Sequence, residues 1–498
     1  VPYIIPGVLA LKNCAIVDFQ KNTRRCAHIL INREIIEKIV PVRTSIPAGI
    51  KTIDLKGKYV IPGFIDSHTH LMARGVEMQR VDLGECRSPE ECLAKLRLGR
   101  DQPEIFGCNW DDSVWKKGKK EDLDRFSLDK LSRHKPVIMR RVCGHFAIVN
   151  TAALGKIGSN WSIVDRKRGY LYEDAALYLN QIFAPSDEML EKGLDMAMAE
   201  ALSRGVTSIH EITNIRNFMM FQKLQSRLRI RVALYVYSKT LEPVINAGFI
   251  SGLGDNYLKF QGIKAFMDGS IGARTAALSK PYPGTKNRGR LLLTTYQLKK
   301  IIQKAEASSL QLIIHSLGDR ATEIAVRAFE ESGNKANKLR HRLEHIEIVD
   351  DPLMKRIARL GLIASMQPNF VQRWQQPGGL YERYLGRRYK TMNPFRKVIE
   401  HGIPLVFGSD SMPLDPRLGL SGAIDHPFSA GRLDPAEAFA SYTNRPAYAT
   451  FDEGRKGKIE AGMLADLVVL NNDPLAWVSP SLINIEKVLV GGRPGPGQ

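Results

Sequence analysis

The run Val60-Ile-Pro-Gly-Phe-Ile-Asp-Ser-His-Thr-His-Leu71 is the stretch around which the rest of the chain can be organised. An apolar lead broken by Pro62 and Gly63 runs into Asp66, His68 and His70, spaced two apart. In an extended strand that spacing sends all three side chains to one face. Two imidazoles at a strand end can hold one divalent metal, because neutral histidine nitrogen is the commonest protein ligand for such ions. A zinc site needs three or four ligands, so the other ligands must come from elsewhere in the chain. An ordinary hydrogen-bonded strand end is the alternative for the same residues.

From Phe64 onward the chain repeats one pattern: a short apolar strand, a loop with a polar residue, and an amphipathic helix. Strands are expected at 64–70, 206–211, 230–236, 262–268, 310–315, 342–348, 362–367 and 404–410. Between them, 296–308, 321–332 and 351–360 carry apolar residues at spacings of three and four, the helical period. Eight strands alternating with helices predict an α/β fold of the (β/α)8, TIM-barrel type. Chemistry in such barrels sits at the carboxyl ends of the strands. The polar residues there are His68 and His70, then His210, Lys264, His315, His345 and Asp410. Five of the chain's 11 histidines fall at strand ends, which chance does not readily explain.

Two imidazoles from the first strand, one each from the fifth and sixth, and the Asp410 carboxylate can enclose one or two divalent ions. A lysine ammonium would be repelled by such ions. Carbon dioxide would convert Lys264 into an anionic carbamate able to bridge two cations, whose charge favours the modification; a free or salt-bridged lysine is the alternative. His and carboxylate ligands suit zinc and several of its neighbours alike.

About 130 residues separate the first two barrel strands, far more than a connecting loop and one helix need. An inserted lobe is therefore expected after the first strand, covering the barrel mouth and shaping the pocket. It contains Asn109-Trp-Asp-Asp-Ser-Val-Trp115, Pro136-Val-Ile-Met-Arg-Arg-Val-Cys-Gly-His145 and a helix-like segment at 186–203. The short strands at 9–17, 28–31, 35–40 and 53–55 cannot bury a core alone. The strand-like tail at 465–470 and 485–490 supplies partners, which predicts a composite β-sandwich from both chain ends. The expected division is 1–62 and 452–498 for the sandwich, 63–79 for the first barrel strand, 80–203 for the lobe and 204–451 for the remaining barrel.

At 498 residues, 44% hydrophobic and 25% charged, the chain has the composition of a soluble globular protein. No apolar run approaches the roughly 18 residues of a membrane span. The opening residues 1–7 carry no charged leader, so no secretory signal is expected in them. The net charge of +20 is scattered rather than gathered on a recognition motif, which predicts a solvated basic surface and no nucleic-acid partner. Six cysteines without a Cys-x-x-Cys pair fit reduced thiols in the cytoplasm. A small-molecule substrate is expected, and a homo-oligomer is left open.

Several stretches together resemble one family. They are Gly63-Phe-Ile-Asp-Ser-His-Thr-His70, Lys264 in Ile-Lys-Ala-Phe-Met-Asp-Gly-Ser-Ile-Gly-Ala-Arg-Thr, His315 in Ile-His-Ser-Leu-Gly-Asp-Arg-Ala, His345 in Arg-Leu-Glu-His and Asp410 in Phe-Gly-Ser-Asp. Trp110-Asp-Asp, Arg141-Val-Cys-Gly-His145, Gly205-Val-Thr-Ser-Ile-His210 and the closing 456–470 stretch extend the match over nearly the whole chain. The chain resembles the amidohydrolase superfamily, within it the amidohydrolase 3 family of YtcJ-like and N-substituted formamide deformylase-like proteins. The resemblance implies a metal-dependent hydrolase with ligands at His68, His70, Lys264, His315, His345 and Asp410. Cys143 departs from the pattern, standing where the family usually has Asp.

The expected reaction is cleavage of an amide-type C–N bond, N-formyl, N-acyl or cyclic but not peptide, by metal-activated water. Zinc is the expected ion, one or two per chain. Asp410 is assigned proton transfer, and His145 and His210 substrate contact or oxyanion stabilisation, with packed hydrogen-bonded histidines as the alternative. Trp110, Asp111, Arg274 and Trp374 are expected to line the pocket, core packing being the alternative for the tryptophans. A decarboxylase or isomerase on the same barrel, and a non-catalytic basic binding protein, are the competing functions.

Overall fold

Eight parallel strands stand side by side in chain order: Phe64–Thr69, Val206–Thr213, Arg231–Tyr237, Leu258–Phe266, Gln311–Ser316, Arg342–His345, Ile363–Met366 and Leu405–Phe407. They are the eight stretches expected from the sequence. The computed structural model describes residues 8–116, 118–158, 164–172, 174–333, 337–476 and 483–495, and the opening residues 1–7 lie outside them. The ladder runs unbroken from the first strand to the eighth. At the seam, Asp410 N donates to His68 O at 2.7 Å and Ser409 N to Asp66 Oδ1 at 2.9 Å. Gly408 is required there, because a Cβ would stand 2.4 Å from His68 N.

Strand alternation sorts the side chains into two layers. Val232, Leu234, Ile263, Ala265, Leu312, Ile314 and Leu343 belong to a single large core with the helices outside. Those helices include Thr295–Ala307, opened by a Thr294/Gln297 capping box, and Asp319–Ser332, closed by left-handed Gly333. The barrel interior mixes polar groups with a small cluster of Ile212, Tyr235 and Ile313. Ser67, His210, Lys264, Gln311, Arg342, Glu344 and Ser365 are all fully buried.

Strands from both chain ends share one sheet. Its order is Arg493–Pro494, Ile485–Val490, Leu467–Leu470, Tyr59–Pro62, Val8–Asp18, Thr23–Asn32 and Ile35–Pro41, with Lys51–Asp54 pairing beside Val8–Asp18. Tyr59–Pro62 was not foreseen as a strand of this sheet. It pairs antiparallel with Leu467–Leu470, and one residue later Phe64 begins the barrel. Gly63 makes that transfer possible, since a Cβ would meet the Thr207 side chain at 2.2 Å. The decisive run thus spans two sheets. A third sheet, six-stranded, lies between the first two barrel strands in sequence and runs Val164–Asp165, Tyr170–Tyr172, Phe146–Val149, Val137–Arg141, Ile105–Trp110, Val81–Asp82. All six cysteines are free thiols, and no helix among the described residues is long and apolar enough to cross a membrane.

Candidate metal centre and its pocket

His68 and His70 end the first barrel strand, and each ring is fixed from behind. His68 Nδ1 donates to Glu344 Oε2, and His70 Nδ1 donates to Ile212 O at 3.0 Å. Both contacts leave Nε2 as the lone-pair nitrogen. The two Nε2 atoms lie 3.5 and 3.1 Å from the same oxygen, Asp410 Oδ1. Lone pairs facing a carboxylate repel unless a proton or a cation lies between them. Asp410 is presented from left-handed backbone (φ 54°), uncommon for a residue with a side chain.

His345 also has positive φ (72°), where the sixth strand ends. Its ring centroid is 4.9 Å from that of His68 and 4.4 Å from that of His315. One ligand atom each from His68, His345 and Asp410 lie within 4.8 Å of one another. His315 Nε2 bonds Gly269 O at 3.1 Å, leaving Nδ1 as its lone pair. Lys264 is fully buried, and its Nζ has no hydrogen-bond partner.

Burial is the main influence on these groups. It pushes His68, His315 and His345 well below the ordinary histidine value, and the charge of Lys264 adds to the effect, so the rings are neutral near pH 7. Burial also pulls Lys264 down to about 8, against the opposing pull of Glu344 and Asp410. His70 is the exception: burial would lower it, but the Asp410 hydrogen bond and the charges of Asp410 and Glu211 raise it. Burial disfavours an ionised Asp410, yet His68, His70 and Lys264 hold its carboxyl at about 2. Neutral imidazoles around an ionised carboxylate, with His345 Nδ1 buried and unpartnered, are a donor set that fits a divalent cation.

A pocket opens on this cluster. His145, His315, His345 and Asp410 line one side; Ile271, Phe370, Trp374, Leu380 and Tyr381 form an apolar and aromatic wall. Arg141 and Cys143 reach in from the turn that ends lobe strand Val137–Arg141, and Glu347 follows His345. His145 lies beside His315, the rings tilted by 39° with centroids 5.9 Å apart.

The other expected residues sit elsewhere. His210 lies inside the barrel, accepting from Arg342 Nη1 at 2.8 Å, and is not among the cavity's lining residues. The second strand continues to Thr213, so His210 is three residues short of its end rather than at the rim. Trp110 is fully buried in the lobe, stacked on Trp115 at 5.4 Å, where its indole fills core. Asp111 does not line the cavity. It accepts from Arg141 Nη2 at 2.9 Å and Trp374 Nε1 at 3.1 Å, and so holds two residues that do. Arg274 is exposed and lies over the Tyr384 ring at 4.2 Å.

Several residues of the site were not foreseen. Glu344 orients His68 and pairs with Arg342 Nε at 2.9 Å. The visible signal was charge at alternate positions, Arg342 and Glu344, in Arg342-Leu-Glu-His345. Glu211 accepts from Leu71 N at 2.6 Å and Met72 N at 3.1 Å, capping the helix that follows His70. Glu347, buried, is pushed up to about 7 by desolvation, although Tyr381 and Asn393 favour its charged form.

An eight-stranded parallel barrel with imidazoles and a carboxylate converging at its carboxyl rim defines the class, a (β/α)8 barrel with a cluster fitted to a divalent cation. The chain belongs to the Amidohydrolase family, whose model matches residues 51–494. It is 28% identical over 487 residues to YtcJ of Bacillus subtilis (strain 168), covering 89% of each chain. It is 24% identical over 504 residues to the N-substituted formamide deformylase of Arthrobacter pascens, again covering 89% of each. A solved structure described as an uncharacterized metal-dependent hydrolase from Pyrococcus horikoshii OT3 superposes with a TM-score of 0.80 at 28% identity, covering 96% of this chain and 100% of that one.

Proposed function

We propose that this chain is a metal-dependent hydrolase that cleaves an amide-type C–N bond, N-formyl, N-acyl or cyclic, in a small molecule. The observation that carries the proposal is the convergence of His68, His345 and Asp410 ligand atoms within 4.8 Å, beside a pocket lined by His145, Phe370 and Trp374. The names of the Arthrobacter pascens and Pyrococcus horikoshii relatives point the same way.

His68, His70, His315, His345 and Asp410 would hold the ion, for which zinc is our assignment, one or two per chain. A divalent cation there supplies an acidified water and a Lewis acid for a carbonyl oxygen. Asp410, held ionised, takes the proton from the attacking water and delivers it to the leaving nitrogen. His145, on the cavity side of His315, donates to the oxygen on which charge develops. Glu344 keeps the His68 ring in the tautomer that leaves Nε2 free. Lys264 enters as its N6-carboxylate: with a pKa of about 8, part of the amine is neutral, attacks carbon dioxide and releases one proton. That anion replaces a buried amine which has no partner. The free thiols fit the cytoplasm, where we place the protein.

Metal analysis, chelation and turnover of an N-formyl, N-acyl and cyclic amide library in H2(18)O test the proposal. Activity should vanish with chelator, return with zinc, and leave one labelled oxygen in the acyl product. Full turnover by ion-free protein would sink it, and unlabelled product would transfer the site to decarboxylation or isomerisation.

A further inference from the structure

Arg141 is 3% exposed and its guanidinium is gripped on two sides. Nε donates to Asp112 Oδ1 and Nη2 to Asp111 Oδ1, both at 2.9 Å. The remaining arm, Nη1, is buried without a hydrogen-bond partner, and Arg141 lines the cavity. Gly272 faces it across the cavity wall, where a Cβ would stand 2.7 Å from Nη1. A rigidly held buried donor with no acceptor is a cost that a bound oxygen would remove.

Charge decides which oxygen fits. Asp111 and Asp112 together match the charges of Arg141 and of Arg373, whose Nε lies 3.7 Å from Asp111. A carboxylate at Nη1, against Ile271 and Leu380, would be desolvated beside a guanidinium whose charge Asp111 and Asp112 already engage. On the far side of Tyr381, which hydrogen-bonds it, the Glu347 carboxyl is also buried, and in its ionised form it adds to the penalty. A neutral carbonyl meets neither cost.

We infer that Arg141 anchors the substrate through Nη1, by a hydrogen bond to an uncharged carbonyl oxygen other than the one at the scissile bond. The substrates are therefore N-acyl compounds that carry a second, neutral carbonyl next to an apolar body. This inference rests on the hydrolase reading of the cavity, and binding separates the two.

The test uses the zinc-loaded full chain and three probes with one aromatic body: N-formylphenylalaninamide, N-formyl-2-phenylethylamine and N-formylphenylalanine. Wild-type kcat/KM should be about tenfold higher for the amide than for the phenylethylamine, with the carboxylate lowest. Arg141→Lys keeps a charge for Asp111 and Asp112 but removes Nη1. It should erase the tenfold advantage through KM and leave the phenylethylamine unchanged. Equal losses on both probes would reduce Arg141 to a scaffold role, and a wild-type preference for the carboxylate would make it an anion site; either overturns the inference. Should Arg141→Lys fail to fold, Gly272→Ala obstructs the same arm from the opposite wall and should show the same selective loss. If no probe is hydrolysed, the reaction reading falls, and tryptophan fluorescence then decides for Arg141. Amide binding about tenfold weaker in the variant, with the phenylethylamine unchanged, upholds the anchor; equal binding overturns it.

Discussion

The two ends of the barrel both bury charge, but they treat it differently. At the amino end, Arg231, the first residue of its strand, donates to both oxygens of Asp466 at 2.6 and 2.9 Å. Lys259 Nζ donates to Asp452 Oδ2 at 2.7 Å, with Lys456 3.3 Å from the same carboxylate. At the carboxyl end, Lys264 Nζ, His345 Nδ1, Arg141 Nη1 and Glu347 Oε1 are buried with no partner. Buried unpartnered polar atoms occur elsewhere too, Asn256 Oδ1 and His341 Nε2 near the amino end among them. The carboxyl rim differs in gathering ionisable groups of this kind, Arg141, His345 and Glu347, around one pocket, where a ligand can complete them.

The sharpest test exchanges one carboxylate at each end. Asp410→Asn should lower kcat by about 10²–10⁴-fold, the usual weight of a positioned acid–base group. Its melting temperature should stay near wild type, because the residue serves the ligand rather than the fold. Asp466→Ala should do the reverse. It strands Arg231, 2% exposed, without its carboxylate, for a loss of about 3–5 kcal/mol in urea unfolding. The folded fraction should keep its kcat. If the Asp466 variant lost turnover at unchanged stability, the two ends would not differ as argued.

A smaller effect lies in the pH dependence of the metal-free protein. Lys264 is lowered from 10.5 to about 8, so between those values the unfolded chain holds a proton that the folded chain has released. The Lys264 contribution to stability must then rise with pH across that window, and its full penalty applies below pH 8. Lys259 is lowered to about 8 as well, chiefly by burial, which Asp452 only partly offsets. Lys264→Met should therefore make the slope of urea midpoint against pH between 8 and 10.5 less positive, and raise stability at pH 7. A slope left intact would mean that Lys264 has a partner in solution, its own carboxylation being the first to check by mass spectrometry of the intact protein.

Much of the barrel was legible because its strands are buried on both faces and read as short apolar runs. The cluster was legible for a related reason: histidines and an aspartate ending such runs have no structural motive there. What escaped depends on contacts distant in sequence. Tyr59–Pro62 is a strand because Leu467–Leu470 pairs along its whole length, with Val8–Asp18 on its other side. His210 was placed at the rim because the second strand was expected to stop at residue 211, two short of Thr213. Trp110 and Trp374 look alike as residues, yet one fills the lobe core and the other lines the cavity. The free arm of Arg141 is invisible in a sequence, because it follows from where Asp111 and Asp112 bind the other two.

The smallest expected effect separates the cavity wall from its surroundings. Trp374→Phe keeps an aromatic ring beside Phe370 (centroids 4.7 Å apart) but removes the indole donor to Asp111. Asp111 would then grip Arg141 with one fewer constraint, and KM should rise by about threefold with kcat nearly unchanged, the signature of lost uniform binding. Arg274→Ala removes an exposed guanidinium lying over Tyr384, outside the cavity-lining set. Its kcat/KM should stay within about twofold of wild type, as surface substitutions usually do. A larger loss for Arg274 than for Trp374 would extend the substrate-binding surface beyond the cavity, since substrate would then have to reach the surface where Arg274 lies to feel its removal.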